Sequence, residues 1–122
     1  ESVYTFPSGT LEKEDTEESC ARRELLEETG YQTDNLVFWY SKSAGNSVDF
    51  KYHIFIAKDC SRISEQQLDP GERISIKEMS LDEILEQIES IRFKNSTLYP
   101  ILIKAKYSED YRRELQTLLG IN

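Results

Sequence analysis

The stretch from Gly9 to Tyr31 constrains this chain most. It gathers three carboxylates on one face of a short helix and brackets that helix with a Pro-Ser-Gly turn and a terminal glycine. At about 100° per residue, Glu24, Glu27 and Glu28 fall within an arc of roughly 100°. Cys20 and Ala21 lie one turn earlier on that face and are small enough to let a ligand approach. Leu25 and Leu26 point elsewhere and can bury against a core. Like charges three and four positions apart repel by roughly 0.2–0.5 kcal/mol per pair, and a cation in their midst reverses that sign. Hard carboxylate oxygens favour Mg2+ or Mn2+. Arg23 stands one turn before Glu27 and can pair with it, holding its rotamer. Asp15 or Thr16 can cap the helix start, and Gly30 suits the position just past its end.

A solvated acidic face is the plainer account of most glutamate-rich helices. The spacing argues against it here. Residues 9–31 read Gly-x5-acid-x7-Arg-Glu-Leu-x-Glu-Glu-x-Gly-Tyr. Gly9, Arg23, Glu24, Glu27, Glu28 and Gly30 are fixed letters of the Nudix box, and a chance match is on the order of 10⁻⁷ per starting point at ordinary residue frequencies. The chain therefore resembles the Nudix hydrolases. It departs from the box at Asp15, where that family's first glutamate is usual.

The resemblance implies an α/β fold, the Nudix α/β/α sandwich with a mixed sheet, and a metal-assisted cleavage of a diphosphate. The phosphoryl groups of a diphosphate carry charge that repels hydroxide, and metal ions neutralise it and lower the pKa of a bound water. By the same resemblance, metals sit on Glu28, on Glu24 and on the backbone carbonyl of Ser8 or Gly9, with Glu27 helping as a ligand or through water. A further acid comes from a loop in which relatives often hold two acids two residues apart. Here Glu72 fills one of those places and Pro70 the other. Glu72 is thus expected as metal ligand or base, with Asp69 in reserve; a surface loop charge is the competing account of Glu72. The expected catalytic set is Glu28, Glu27, Arg23 and Glu72.

Two further stretches narrow the substrate class. Residues 43–57 look like the Ser-Pro-Gly…Glu…Phe-x-Ala stretch of ADP-ribose and ADP-sugar pyrophosphatases. Residues 70–84 resemble the strand and Ser-Leu-Asp-Glu helix of the same group. The proline usual after the box in ADP-ribose hydrolases is missing, with Ala44 nearest, and Asp49 stands where a glutamate is usual. The implied activity is hydrolysis of a nucleoside diphosphate linked to another moiety, ADP-ribose or a nucleotide sugar first. A house-cleaning hydrolase of nucleoside triphosphates or dinucleoside polyphosphates is the variant. A non-catalytic nucleotide-sensing module is the alternative of another class; such modules commonly lose box glutamates, and all three are present here.

Composition sets outer bounds. The 122 residues carry a formal net charge of −8. Residues 12–28 hold eight acids against three bases. Such a chain is a poor general nucleic-acid binder, and it would take a phosphate ester through metal ions or a local basic pocket. No apolar run approaches a membrane span and no signal peptide is visible. Cys20 and Cys60 lack metal-ligand spacing and read as reduced thiols of a cytoplasmic protein. Residues 1–122 are expected to form a single domain. Nudix domains usually carry strands ahead of the box, and only six residues precede Pro7. The expectation is therefore of a domain lacking its N-terminal strands, which in many relatives also supply a dimer surface; a homodimer is part of that expectation.

A pass along the chain predicts a strand over 2–6, the box helix over about 16–29, and strands over 36–41 and 50–57 separated by a turn at 43–47. Residues 61–72 read as a loop holding Pro70 and Gly71, and 73–79 as a strand with Ile74 and Ile76 on one side. Ser80 with Glu83 forms a capping box for a helix to about 90. Asn95 or Ser96 opens another helix, and Ser108 caps a last one ended by Gly120. His53 reads as a sheet-face histidine, and Trp39 and Tyr40 read as strand aromatics before they read as a base-stacking platform. Lys51, Arg62 and Arg73 are the remaining cations that could meet phosphate.

Overall fold

The computed structural model describes residues 3–43, 50–94 and 97–121. The turn predicted at 43–47, together with Ala44 and Asp49, lies largely outside those residues, as does the helix start predicted at Asn95 or Ser96. The chain divides into two compact units. One runs from Pro7 to Ile76, and the other combines the described residues up to Phe6 with those from Lys77 onward.

The first unit is built around helix α1, Glu17–Thr29. Thr16, not Asp15, caps it: its hydroxyl accepts from Ser19 N at 3.0 Å, and Ser19 Oγ accepts from Thr16 N at 2.9 Å. Glu17 and Glu18 follow in the first turn, where negative charge suits the helix dipole. Gly30 ends the helix at φ 77°, and its amide donates to Leu26 O at 2.7 Å. Strand β1 (Tyr31–Gln32) pairs antiparallel with β4 (Ser61–Arg62). Strand β2 (Asn35–Ser43) pairs antiparallel with β3 (Lys51–Lys58) from Asn35 opposite Lys58 to Ser43 opposite Lys51. The register slips once, because Phe38 faces Phe55 and Tyr40 faces Ile54, leaving Trp39 as the extra residue of a bulge.

Buried Thr33 ties these parts together. Its hydroxyl donates to Lys58 O and accepts from Asn35 N at 2.9 Å, while its carbonyl accepts from Arg22 Nη1 at 2.6 Å. Helix α1 thereby lies against β1, β2 and β3, with Cys20 and Ile56 buried.

The second unit is mostly helical. Helix α2 (Leu81–Gln87) carries the predicted capping box, with Ser80 Oγ accepting from Glu83 N at 3.1 Å and Glu83 Oε1 accepting from Ser80 N at 3.0 Å. Helix α3 (Tyr99–Tyr107) has Pro100 in its first turn, where the missing amide hydrogen costs nothing. Helix α4 (Glu109–Leu119) is capped by Ser108 and closed by Gly120 at φ 73°. Leu81, Leu85, Ile88, Leu102, Ala105 and Leu115 are buried and form the core. Arg112 donates to the carbonyls of Ala105 and Lys106, closing the end of α3. The segment predicted as a strand over 2–6 contributes one parallel bridge, Tyr4 with Phe93.

The α/β class stands. Two predicted elements do not: the segment at 2–6 makes only the isolated bridge at Tyr4, and residues 73–79 form no strand. Alternation supplies a face but not a partner edge. The carbonyl of Ile74 is taken by a side chain, Gln66 Nε2 at 3.0 Å, instead of by a neighbouring strand. Ile76 stays 38 % exposed. Among the described residues no helix is long and apolar enough to cross a membrane.

Candidate active site

The acids of α1 face a cleft of about 290 Å³ lined by Ser8, Gly9, Glu12, Arg23, Glu24, Glu27, Glu28, Gln67, Leu68, Asp69 and Glu72. Six of these are acids and one is a base, so the cleft is strongly negative.

The turn before the helix is shaped to meet the carboxylates. Ser8 N donates to Glu28 Oε1 at 2.9 Å. Gly9 lies directly over Glu24: a Cβ on Gly9 would stand 2.0 Å from Glu24 Cδ and 2.2 Å from its Cγ and Oε1. Glycine is thus required here for close approach, because any side chain would occupy the place of the carboxylate.

Arg23 organises the near side. Its Nη2 meets Asp15 Oδ2 at 2.5 Å, and its Nη1 meets Glu24 Oε1 at 3.0 Å and Glu12 Oε1 at 3.4 Å. The predicted pairing with Glu27 exists but is the longest of the four at 3.9 Å. The main partner is Asp15 because the 12–15 turn brings its carboxylate under the guanidinium: Asp15 Oδ2 also accepts from Glu12 N at 2.8 Å, and Asp15 N donates to Glu12 O at 3.0 Å. The Glu12 amide, then Arg23, hold the Asp15 carboxyl below its usual range. Asp15, in turn, raises the pKa of Arg23. A shorter acid at this position therefore serves the loop and the arginine well.

Glu24 and Glu28 behave differently. Burial pushes the Glu24 carboxyl up, opposed by Arg23 and reinforced by Glu27. Burial also pushes Glu28 up; the Ser8 amide opposes it, and Glu24, Glu72 and Glu27 add like-charge repulsion. Both groups hold negative charge that their surroundings do not fully neutralise.

The far side of the cleft is the loop carrying Leu68, Asp69 and Glu72. Glu72 Oε1 accepts from Asp69 N at 2.7 Å, and Glu72 N donates to Asp69 O at 3.0 Å, so the acid folds back on its own turn. Gly71 at φ 90° lets the turn reverse.

The donor set fits a hard divalent cation. All its charged ligands are carboxylates, two are destabilised as anions, and the backbone of Ser8 and Gly9 lies beside them. As the side chains stand, no three acidic, histidine or cysteine groups among the described residues converge on one ion position. Glu24 is turned to Arg23, Glu28 to the Ser8 amide, and Glu72 to Asp69. A bound cation would draw them from these partners.

The structure thus brings together Ser8, Gly9, Arg23, Glu24, Glu27, Glu28, Asp69 and Glu72. Glu12 joins them without having been singled out by the box, although its place three residues before Asp15 was the available signal. His53 does not line the cleft. It faces Ser41 Oγ across the β2–β3 pair at 2.9 Å through Nδ1, and Glu17 of α1 at 3.8 Å through Nε2. Trp39 and Tyr40 stack edge to face on β2, and Arg62 pairs with Glu65 at 3.2 Å; none of them lines the cleft.

The chain is similar to several known proteins. The chain is 33 % identical over 94 residues to a protein named ADP-ribose pyrophosphatase from Bacillus subtilis, covering 73 % of this chain and 49 % of that protein. It is 33 % identical over 97 residues to a methanol dehydrogenase activator from Bacillus methanolicus, covering 78 % and 52 %. It is 37 % identical over 79 residues to a GDP-mannose pyrophosphatase from Cronobacter sakazakii, covering 62 % and 41 %. The chain therefore spans about half the length of the curated relatives it matches. The profile described as the NUDIX domain matches residues 1–100. With the box glutamates gathered at one cleft and that profile covering most of its length, the chain belongs to the Nudix domain family.

Proposed function

We propose that this protein hydrolyses the pyrophosphate bond of a nucleoside diphosphate linked to another moiety, with ADP-ribose or a nucleotide sugar as substrate and Mg2+ or Mn2+ as cofactor. The observation that carries the reading is the acidic cleft in which Glu24, Glu27 and Glu28 meet the Ser8–Gly9 turn and the Glu72 loop. The names of two relatives, an ADP-ribose pyrophosphatase and a GDP-mannose pyrophosphatase, favour this substrate class. Divalent metals are general in the family.

Glu24, Glu28 and a carbonyl of Ser8 or Gly9 would hold the metal, with Glu27 as ligand or through water. When bound, it supplies neutralisation of the diphosphate charge and a water of lowered pKa. The remaining work falls to the chain. Arg23, held by Asp15, sets the orientation of Glu24. The Ser8 amide orients Glu28. Glu72, which lines the same cleft as Glu28, would take a proton from the attacking water or join the metal ligands, with Asp69 on the same turn in reserve. We further assign residues 1–122 to a single Nudix domain of a cytoplasmic protein acting on a small molecule, not on nucleic acid, and assembling as a homodimer.

The test is a phosphatase-coupled release assay on purified protein. It compares ADP-ribose, ADP-glucose, GDP-mannose, NADH and a dinucleoside polyphosphate, each with Mg2+ and with Mn2+. The reading expects metal-dependent release from ADP-ribose or a nucleotide sugar above the others. No release from any of them, combined with tight ADP-ribose binding, would replace the enzyme with a nucleotide sensor.

A further inference from the structure

A helix leaves its last four carbonyls without intrahelical partners. In α1 these fall in the turn that carries Glu27 and Glu28, and no basic side chain stands there to meet them. The chain from Ile63 to Gln67 does so instead. Ile63 N and Ser64 N donate to Gly30 O at 2.9 and 3.3 Å, and Gln67 N donates to Glu27 O at 2.7 Å. A third of these carbonyls is met by a side chain. Gln66 Nε2 donates to Glu28 O at 2.8 Å and also to Ile74 O at 3.0 Å. Both neighbours are acceptors, so the amide orientation is settled by chemistry: only the NH2 group can face them.

This one amide closes a ring. It joins the backbone of Glu28 to the residue that ends the loop holding Asp69 and Glu72, and the loop's other end is pinned by Gln67 to Glu27. Within the loop, and among the described residues, the hydrogen bonds that hold Glu72 are those of its own turn with Asp69. The distance between Glu72 and the α1 glutamates thus depends on the Gln67 backbone bond at one end of the loop and, at the other, on the two bonds of a half-buried glutamine. We propose that Gln66 is a positioning residue that sets the Glu72 loop against the α1 carboxylates. This rests on the reading of Glu72 as a group that acts in the hydrolysis.

The test is a double-mutant cycle on purified protein with ADP-ribose and Mg2+, pairing Gln66→Met, which keeps the side-chain length and removes both donors, with Glu72→Gln. A misplaced acid costs roughly ten- to a hundredfold in rate. Gln66→Met should therefore lower kcat by about tenfold or more while KM stays within about threefold. In the Glu72→Gln background the same change should cost less than about twofold, since the acid it places is already gone. Thermal melting and amide exchange over residues 67–73 run alongside, with exchange rising in Gln66→Met. Equal fractional losses of kcat in both backgrounds would mean a merely structural role and overturn the inference. So would an unchanged kcat in Gln66→Met, or a Glu72→Gln variant as active as wild type. If the wild type hydrolyses nothing, the proposed function falls by itself, and unchanged amide exchange in Gln66→Met then overturns the tether separately.

Discussion

Replacing Gly9 by Ala should disable the cleft while leaving the fold standing. The new Cβ would stand 2.0 Å from Glu24 Cδ, against the 3.4 Å at which ordinary contact begins. The carboxylate must retreat by about 1.4 Å, since the obstacle is the end of a flexible side chain and not backbone. No left-handed backbone strain is involved, because Gly9 is not among the glycines at positive φ. The stability cost is therefore modest, about 1 kcal/mol for an off-rotamer glutamate, or roughly 4 °C in Tm for a domain of this size. The functional cost is larger. A 1 Å misplacement of a positioning group costs on the order of a hundredfold in rate, and the move also breaks the 3.0 Å contact with Arg23. The assay is Mg2+-dependent turnover beside a melting curve. A variant that keeps more than about a third of wild-type turnover would refute the claim that Glu24 must lie under a bare turn. A Tm loss above about 10 °C would show instead that the turn is structural.

Three further outcomes follow from the same geometry. Gly30→Ala combines φ 77° with a Cβ placed 2.0 Å from the Ser64 carbonyl oxygen, which is backbone and cannot swing away; it should cost about 2–4 kcal/mol by denaturant unfolding, and a cost under 1 kcal/mol would contradict the packing described. Arg23→Lys replaces a fork that serves Asp15, Glu24 and Glu12 with a single ammonium group; kcat should fall about tenfold or more with the circular dichroism spectrum retained, and an unchanged kcat would remove Arg23 from its orienting role. The pH dependence concerns Glu28, whose folded pKa is raised above its usual 4.5 by burial. The native state then holds the proton longer than the unfolded chain does, so the metal-free protein loses stability as pH rises from about 4.5 through the raised value. Glu28→Gln mimics the protonated form. It should melt higher than wild type at pH 7 without metal, and the gain should vanish near pH 4; a gain that grows toward acid would reverse the assignment.

The parts of this molecule that could be read from residues alone are those whose causes are local. Helix α1 was legible to within a residue because Thr16 and Gly30 cap it from inside the same stretch. The capping box of α2, the Ser108 cap and glycine end of α4, the β-rich run of β2 and the alternation of β3 are legible for the same reason. The clustering of Glu24, Glu27 and Glu28 followed from helical spacing. What escaped depends on distant partners. Residues 73–79 alternate like a strand, yet a glutamine eight residues earlier takes the Ile74 carbonyl. Helical spacing pairs Arg23 with its neighbour Glu27, but the 12–15 turn delivers Asp15 more closely. The tie from Gln66 to Glu28 spans 38 residues and ends on a backbone oxygen, which no side-chain pattern records.

The central claim is that the α1 carboxylates work as a metal-dependent hydrolytic site, and Glu28 tests it most directly. Glu28→Gln keeps the size of the side chain and its ability to accept from the Ser8 amide, but removes the charge. The measurement is turnover of ADP-ribose and a nucleotide sugar across a Mg2+ and Mn2+ titration, with melting recorded on the same samples. The account predicts a folded variant with turnover below a few per cent of wild type at every metal concentration. Turnover retained above that level would contradict it.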